Sequence, residues 1–431
     1  MLNHKDNELL CRVTGSQPMG EMIRRYWIPA LFSHEIECDG QPYRVRLMGE
    51  NLVAFRDSNG EIGLMQELCP HRGASLFLAR NEDCGIRCLY HGWKFDAAGK
   101  IVDMPTEDSD ETVLNKIKMT TYPVYESGGI VWVYMGPKGD EPSTVDFEFT
   151  KYPMSHLVHT KVHIQCNWVQ CLEGVIDSAH ANYLHGDTFK PTADSKNSDY
   201  RGDSLVVDRP SGDGKPRFEI ENTDYGFRYA AIRKTMRDTR DESYVRVTLF
   251  VAPFYGLFAG QKNWGALQAF VPIDDENTML YFVRYNLKQP VDNKERERQI
   301  AWSGLIPGVD IDDNNRMLRN RQNNWLQDRL SMRNGQSVSG LRGVQVEDAV
   351  VQESMGPLYD RSKENLGTTD IAVVRMRRLM LRSVKDFMKE EKPPLGINIQ
   401  NRYNKLRGEE AIVAKGEKWQ EICKLGQMEN I

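Results

Sequence analysis

Two short segments constrain this chain more than anything else in it: Cys69-Pro-His71-Arg-Gly73 and Cys88-Leu-Tyr-His91-Gly92-Trp93. Sixteen residues separate His71 from Cys88, so the pattern is C-x-H, a spacer, then C-x2-H. Each segment offers one thiolate and one imidazole. Two Cys on one iron and two His on the other is the donor set of a [2Fe–2S] cluster whose potential is raised by exchanging thiolates for neutral imidazoles. Cys2His2 is also a zinc set, but zinc fingers group C-x2–4-C and H-x3–5-H instead of placing one Cys and one His in each half. The glycines suit close approach of backbone N–H groups to cluster sulfur. Of the eight cysteines, Cys84 is close enough to serve as a spare ligand. A buried, inert thiol is the expectation for it, as for Cys11, Cys38, Cys166, Cys171 and Cys423.

A loop-borne site of this kind needs a rigid frame, and the flanking sequence has the texture of one. Tyr43–Leu47, Leu52–Phe55, Ile62–Met65 and Ile130–Tyr134 are short strand-like stretches between turn signals such as Asp57-Ser-Asn-Gly60. Ahead of them, Met19, Met22, Ile23, Tyr26 and Trp27 fall at helical spacing, with Pro29 ending the helix. The Pro/Gly/charged run 136–142 marks a boundary. The expected domains are a helical segment at 1–39, an all-β module at 40–137 and a third at 138–431. In the last, residues 165–186 read as helical, several strand-like runs fill 216–285, and 291–333 is polar and helix-compatible. Residues 370–390 form a basic amphipathic stretch, expected to present a solvated face.

Charge narrows the partners. Lys plus Arg is 56 against 61 Asp plus Glu, a net charge of −5, so nucleic acid is not expected as a partner. No apolar run reaches the ~18 residues of a membrane span. The N-terminus, MLNHKDNELL, carries charge where a signal peptide is apolar, so a cytoplasmic location is expected.

A second constellation lies at Asp177-Ser178-Ala-His180-Ala-Asn-Tyr-Leu-His185, which is D-x2-H-x4-H. Asp177 and His180 would share one face of a helix. His180 and His185 would not, so a bulge or helix end is expected between them. Two imidazoles and a carboxylate form the facial triad of non-haem Fe(II) oxygenases, which leaves positions open for O2. The best third ligand is Asp348, heading a helix-compatible run. Glu347 is its neighbouring rival, and Asp360 and Asp370 are weaker ones.

Together these residues resemble the Rieske non-haem iron oxygenases, specifically the catalytic α subunits of aromatic ring-hydroxylating systems. Asn7-Glu-Leu-Leu-Cys-Arg-Val, Pro18-Met-Gly, Arg24-Arg-Tyr-Trp-Ile-Pro29 and Cys69-Pro-His-Arg-Gly-Ala-Ser-Leu look like the phthalate dioxygenase group. The resemblance implies an α+β chain, with an N-terminal Rieske domain followed by a helix-grip-like catalytic domain whose antiparallel sheet is flanked by helices. It implies that Cys69, His71, Cys88 and His91 hold the Rieske [2Fe–2S] cluster and that His180, His185 and Asp348 hold mononuclear Fe(II). Asp177 matches a bridging carboxylate that links His180 to His91 of the partner subunit in a trimer or a pair of stacked trimers. O2 is then the co-substrate. NAD(P)H electrons would arrive through a separate flavin and ferredoxin reductase, since no dinucleotide fingerprint and no plant-type cluster motif are present.

The same resemblance implies an aromatic carboxylate as substrate, with cis-dihydroxylation of a phthalate-type acid expected. A buried carboxylate calls for arginine. Arg209, Arg217, Arg228, Arg233 and Arg246 are available on strand-like segments; Arg209, Arg246 and Ser178 are the choices. Tyr229, Phe250 and Phe254 are candidates to wall a pocket. O-demethylation of a methoxylated aromatic acid is an alternative on the same scaffold, and a non-catalytic electron carrier is a second.

Overall fold

The computed structural model describes residues 2–107, 117, 119–189, 214–235, 241–260 and 263–427. They divide into two compact units, one of residues 13–142 and one of residues 1–12 with 143–431.

The first unit is built from short antiparallel strands. β2 (Tyr43–Leu47), β3 (Glu50–Arg56) and β4 (Ile62–Gln66) form a meander, with β2 alternating between buried and exposed and the middle of β3 buried throughout. β5 (Arg80–Asn81), β6 (Ile86–Arg87), β7 (Lys94–Phe95) and β8 (Ile101–Asp103) form a second sheet. β1 (Trp27–Phe32) pairs with β10 (Ile130–Tyr134), which pairs in turn with β9 (Val124–Ser127). Val53, Phe55, Met65, Leu76, Ile86 and Phe95 make a core that also takes in Cys69 and Cys88.

The N-terminal expectation needs correcting here. The helix α1 spans His4–Cys11 and α2 only Pro18–Ile23; Trp27 opens a fully buried strand. Pro29 does not end a helix. It sits at a register shift in β1, where its missing N–H is tolerated. A short apolar run reads equally as helix or buried strand, and pairing with β10 decides it. Residues 13–39 therefore belong with the β-module, and residues 1–12 with the C-terminal unit.

The second unit carries an eight-stranded antiparallel sheet in the order β11-β17-β16-β15-β14-β13-β12, with β18 also on β14. Its strands are β11 (Leu157–Ile164), β12 (Arg217–Thr223), β13 (Gly226–Lys234), β14 (Glu242–Val251), β15 (Tyr255–Ala259), β16 (Trp264–Pro272), β17 (Thr278–Asn286) and β18 (Glu409–Ala414). Beyond its pairing with β13, β14 meets β18 along Glu242–Val247 and β15 along Leu249–Val251. Helices α3 (Trp168–Ile176) and α4 (Val344–Ser354) lie on one face. A Cβ on Gly256 of β15 would stand 2.4 Å from Val175 of α3, and one on Gly174 would stand 2.3 Å from Gln352 of α4. Glycine at 256 thus sets how closely the sheet and α3 approach, whereas the Gln352 amide could move aside. The polar stretch 291–333 is helical in three pieces, a helix over Asn293–Ser303, a 3-10 helix over Arg321–Leu326 and a short helix over Arg329–Arg333, joined by turns and irregular chain.

Helix α5 (Ile371–Met388) is the basic amphipathic stretch. Val373, Met376, Met380 and Val384 are buried, so its apolar face is already used within this unit. No helix among the described residues is long and apolar enough to cross a membrane.

A buried ion cluster fastens these helices together. Glu173 on α3 takes a two-pronged contact from Arg361 at 2.8 and 3.0 Å and a third bond from Arg377 of α5 at 2.6 Å. Arg377 also bonds Glu364, and Arg361 reaches Asn7 and Cys11 of α1 at 3.2 Å each. Burial opposes charge on Glu173, but the two guanidiniums outweigh it and hold its carboxyl below the usual range. Glu173→Ala leaves two buried cations facing each other. It should cost about 3–5 kcal/mol, read as a lower urea midpoint; an unchanged midpoint would show the cluster to be dispensable.

Candidate active site

The two segments of the first unit form loops of the same backbone design. In one, Cys69 N–H donates to Ala74 O (2.9 Å) and Gly73 N–H to Cys69 O (2.9 Å). In the other, Cys88 N–H donates to Trp93 O (2.9 Å) and Gly92 N–H to Cys88 O (3.0 Å). Gly73 and Gly92 occupy the same place, at φ 73° and 75°, a conformation that favours glycine. The unequal C-x-H and C-x2-H spacings thus fit into matching loops.

Both thiols are buried, while the imidazoles stand half-exposed with ring centres 4.4 Å apart. Burial pushes the Cys69 thiol up to about 11 despite backbone N–H groups of His71 and Arg72 aimed at its sulfur. Those donors suit a metal-bound thiolate. Partial burial and the charges of His71 and Arg72 hold His91 below its usual range, which favours the neutral ring a metal needs. Trp93 stacks flat on His71, centroids 4.4 Å apart at 5°, and its buried indole N–H has no protein partner. A sulfur-rich cluster supplies acceptors for such a donor. Of the other cysteines, Cys11, Cys166, Cys171 and Cys423 are buried as expected, but Cys38 is exposed and Cys84 only half-buried.

In the second unit the ligands come from two places in the sequence. Asn167 caps α3, accepting the Val169 N–H at 3.1 Å, and α3 ends at Ile176. Asp177 is already extended, with φ −85° and ψ 102°. Its Oδ1 accepts the Ala179 N–H at 2.8 Å, which turns the chain. His180 then heads one helical turn, Ala181–Leu184, and His185 follows it. The helix end expected between the histidines is there, at Leu184 with His185 as the cap, and a further break at Asp177 precedes both of them. Asp177 meets His180 (Oδ2 to Nδ1, 3.7 Å) across a turn, not along a helix face.

This turn brings three ligand atoms together. His180 Nε2 lies 3.2 Å from His185 Nε2, and Asp348 Oδ1 of α4 is 3.3 and 3.1 Å from them. Three donors on one face of an octahedral ion, each bonded at ~2.1 Å, stand about 3 Å apart. Among the described residues this is the one group of three or more such side chains whose ligand atoms all lie within 4.8 Å of one another. The Cys69, His71, Cys88 and His91 set does not close that tightly, which suits two irons and not one zinc. Glu347, the rival third ligand, sits behind His185, 2.7 Å from Nδ1. Asp360 instead bonds Ser362, and Asp370 accepts the Gly367 N–H.

Of the candidate substrate residues, Arg209 lies outside the described residues. Arg217 is exposed and pairs with Glu219. Arg228 is buried on Glu221 and on the Cys423 carbonyl. Arg233 and Arg246 share a sheet face with Tyr229, because the register pairs Tyr229 with Thr248, Ala231 with Arg246 and Arg233 with Tyr244. That face meets the end of α3. Tyr229 donates to Ile176 O at 2.7 Å, and Arg233 Nη2 donates to Ser178 O and Oγ at 2.7 and 3.2 Å. Burial raises the Tyr229 phenol; a bond with Thr248 and the charges of Arg246 and Arg233 oppose the rise, and Asp177 adds to it. Phe250 and Phe254 are core residues. Sequence reasoning passed over Arg233, whose only signal was its place on a strand two residues from Ala231.

Burial alone would lower both histidines. For His180 the bonds and charges of Asp177 and Asp348 outweigh it and raise the ring to about 10. For His185, Asp348 and Glu347 raise it to about 9. Asp348 is correspondingly held below its ordinary range, chiefly against burial, by the two histidines. Both rings of metal-free protein therefore carry protons near neutrality, and a metal must displace them. Anaerobic Fe(II) titration should release about two protons and tighten as pH rises toward 9. Binding that ignores pH would contradict this charge assignment.

Comparison with known proteins covers the whole chain. Residues 26–123 match the Rieske [2Fe-2S] domain family, and residues 133–429 match the family described as LigXa C-terminal domain like. The chain is 41% identical to the phthalate 4,5-dioxygenase oxygenase subunit of Pseudomonas putida, over 98% of this chain and 94% of that one. It is 35% identical to the 3-chlorobenzoate-3,4-dioxygenase oxygenase subunit of Comamonas testosteroni, over 96% of each chain. It is 32% identical to the 5,5'-dehydrodivanillate O-demethylase oxygenase subunit of a Sphingobium strain, over 91% and 83%. In fold it is similar to crystalline dicamba monooxygenase, with a TM-score of 0.61 at 15% identity over 85% of this chain and 98% of that one. Such subunits work in multi-component systems, in which NAD(P)H electrons come from a reductase or ferredoxin partner and O2 is consumed. Each matched half contains one of the two candidate metal loci, and the chain belongs to the Rieske non-haem iron oxygenases, as the oxygenase component of an aromatic dioxygenase or monooxygenase system.

Proposed function

We propose that this oxygenase acts on an aromatic carboxylate, by cis-dihydroxylation of a phthalate-type acid. The observation that carries this reading is the placement of Arg246 on the sheet face it shares with Tyr229 and Arg233, the face that meets the end of α3. An arginine on that face offers a charge-assisted anchor for a carboxylate. Phthalate, 3-chlorobenzoate and 5,5'-dehydrodivanillate, named for the relatives, are all aromatic acids.

In this reading Cys69, His71, Cys88 and His91 would hold the cluster that supplies single electrons, and His180, His185 and Asp348 the iron that supplies oxygen activation. Arg246, Arg209 and Ser178 bind the carboxylate and orient the ring. Arg233 holds the Ser178 segment in place. Asp177 faces Nδ1 of His180 at 3.7 Å, where its charge favours a proton on that nitrogen and leaves Nε2 for the metal. In a trimer, or two stacked trimers, it would accept a hydrogen bond from His91 of the partner subunit, and so join the two centres. O-demethylation is the second reading, favoured by the Sphingobium relative.

A single turnover decides between them. Reduced protein receives phthalate isomers, hydroxybenzoates or methoxybenzoates, then O2, and product masses are read. A cis-dihydrodiol from a phthalate-type acid supports the proposal; a phenol with formaldehyde from a methoxylated acid overturns it in favour of demethylation.

Arg246→Ala should raise KM about 10- to 100-fold, the loss of one charge-assisted contact, with kcat less affected. An unchanged KM would remove Arg246 from the binding site. His180→Ala should abolish turnover while the cluster keeps its colour. Asp177→Asn should keep both metals yet slow electron arrival at the iron site, seen as slowed cluster reoxidation in the presence of substrate and O2. Normal reoxidation would exclude the bridging role.

A further inference from the structure

His185 is gripped from both ends by consecutive residues of one helix. Asp348 faces its Nε2 at 3.1 Å, and Glu347 Oε2 lies 2.7 Å from its Nδ1. The other oxygen of Glu347 accepts the Ser339 hydroxyl at 2.5 Å. Ser339 Oγ in turn accepts the Leu341 backbone N–H at 3.1 Å. His185, Glu347 and Ser339 are 2%, 3% and 7% exposed, so no water competes freely for these bonds.

We propose that Glu347 and Ser339 are positioning residues that hold His185 ready for metal, an inference that rests on reading His180, His185 and Asp348 as the iron ligands. A carboxylate that accepts the Nδ1 proton leaves the Nε2 lone pair for the ion, and it makes the ring a stronger donor. Glu347 already has a donor on each oxygen. Turning toward the metal would strand the Ser339 hydroxyl and the His185 N–H in a buried place. Neighbours on a helix point about 100° apart, so Asp348 and Glu347 cannot both approach from one side. The longer side chain reaches around to Nδ1 and the shorter one stops at Nε2.

The two imidazoles are therefore supported differently. The carboxylate behind His180, Asp177, is half-buried and 3.7 Å away, while that behind His185 is buried and forms a short bond. Glu347 ends in a serine that is itself tied to backbone, so it leads to no surface. Its role is confined to fixing one ligand.

The test uses full-length holoenzyme and variants Glu347→Ala, Glu347→Gln and Ser339→Ala. Fe(II) affinity is measured by chelator competition, and the iron environment by the electron paramagnetic resonance of its nitric oxide adduct. The visible spectrum of the cluster and the thermal midpoint report folding. Glu347→Ala should weaken Fe(II) binding about 10- to 100-fold and alter the adduct spectrum, with the cluster spectrum intact. Glu347→Gln keeps an acceptor for Nδ1 and should recover the adduct spectrum and part of the affinity. Ser339→Ala should weaken binding by less, in the same direction. Unchanged affinity and spectrum in Glu347→Ala would overturn the proposal. Should that variant not fold, unchanged values in both milder variants would do so. His180→Ala separates this from the parent reading: if it too leaves Fe(II) affinity unchanged, the iron site itself is misassigned.

Discussion

Two imidazole nitrogens and a carboxylate oxygen within 3.3 Å of one another are the constraint on which the catalytic unit depends. Such groups do not gather by hydrophobic burial; taking them from water costs free energy unless each is paired. The chain meets this cost with surrounding carboxylates. Asp177, Asp348 and Glu347 favour the protonated imidazoles when no metal is present, and the same carboxylates leave a divalent ion well compensated. Polar pairing of this quality needs backbone held to a few tenths of an ångström, so the surrounding fold must be stiff.

That stiffness comes from close approach of helix and sheet. Glycine at 256 lets α3 press against β15, and Asn167 anchors the start of α3 to Cys11 and Asp275 carbonyls at 3.0 and 2.7 Å. Glu173, one turn before Asp177, is locked by Arg361 and Arg377. The ligand turn thus hangs from a helix fixed at its start, its flank and its last turn. In the β-module the cluster loops reach the same end differently, through two matching backbone frames whose glycines stand at positive φ.

Much of this is legible in the sequence because it is local. The C-x-H and C-x2-H segments, the strands from 217 to 286 and the amphipathic helix before 390 each carry their own signal in spacing or alternation. What stayed illegible depends on distant partners. Trp27–Phe32 is helix-like until β10 supplies a pairing edge 100 residues later. Residues 1–12 join the C-terminal unit through Arg361, which no local pattern announces. Asp348 is preferred to Glu347 as third ligand from the sequence, but the seat of Glu347 on His185 Nδ1 depends on the phase of α4 against His185, which no local pattern carries. The turn at Asp177 was missed for a related reason. A carboxylate that caps its own chain two residues on ends a helix that periodicity would continue.

The most direct test of the account is where iron sits in crystals of the as-isolated enzyme, read from anomalous scattering at the iron absorption edge. The account predicts a two-iron peak among Cys69, His71, Cys88 and His91 and a single-iron peak bonded to His180 Nε2, His185 Nε2 and Asp348, with Glu347 turned away from it. A single peak at the cysteines with zinc-like scattering, or iron bonded to Glu347 in place of Asp348, would contradict it.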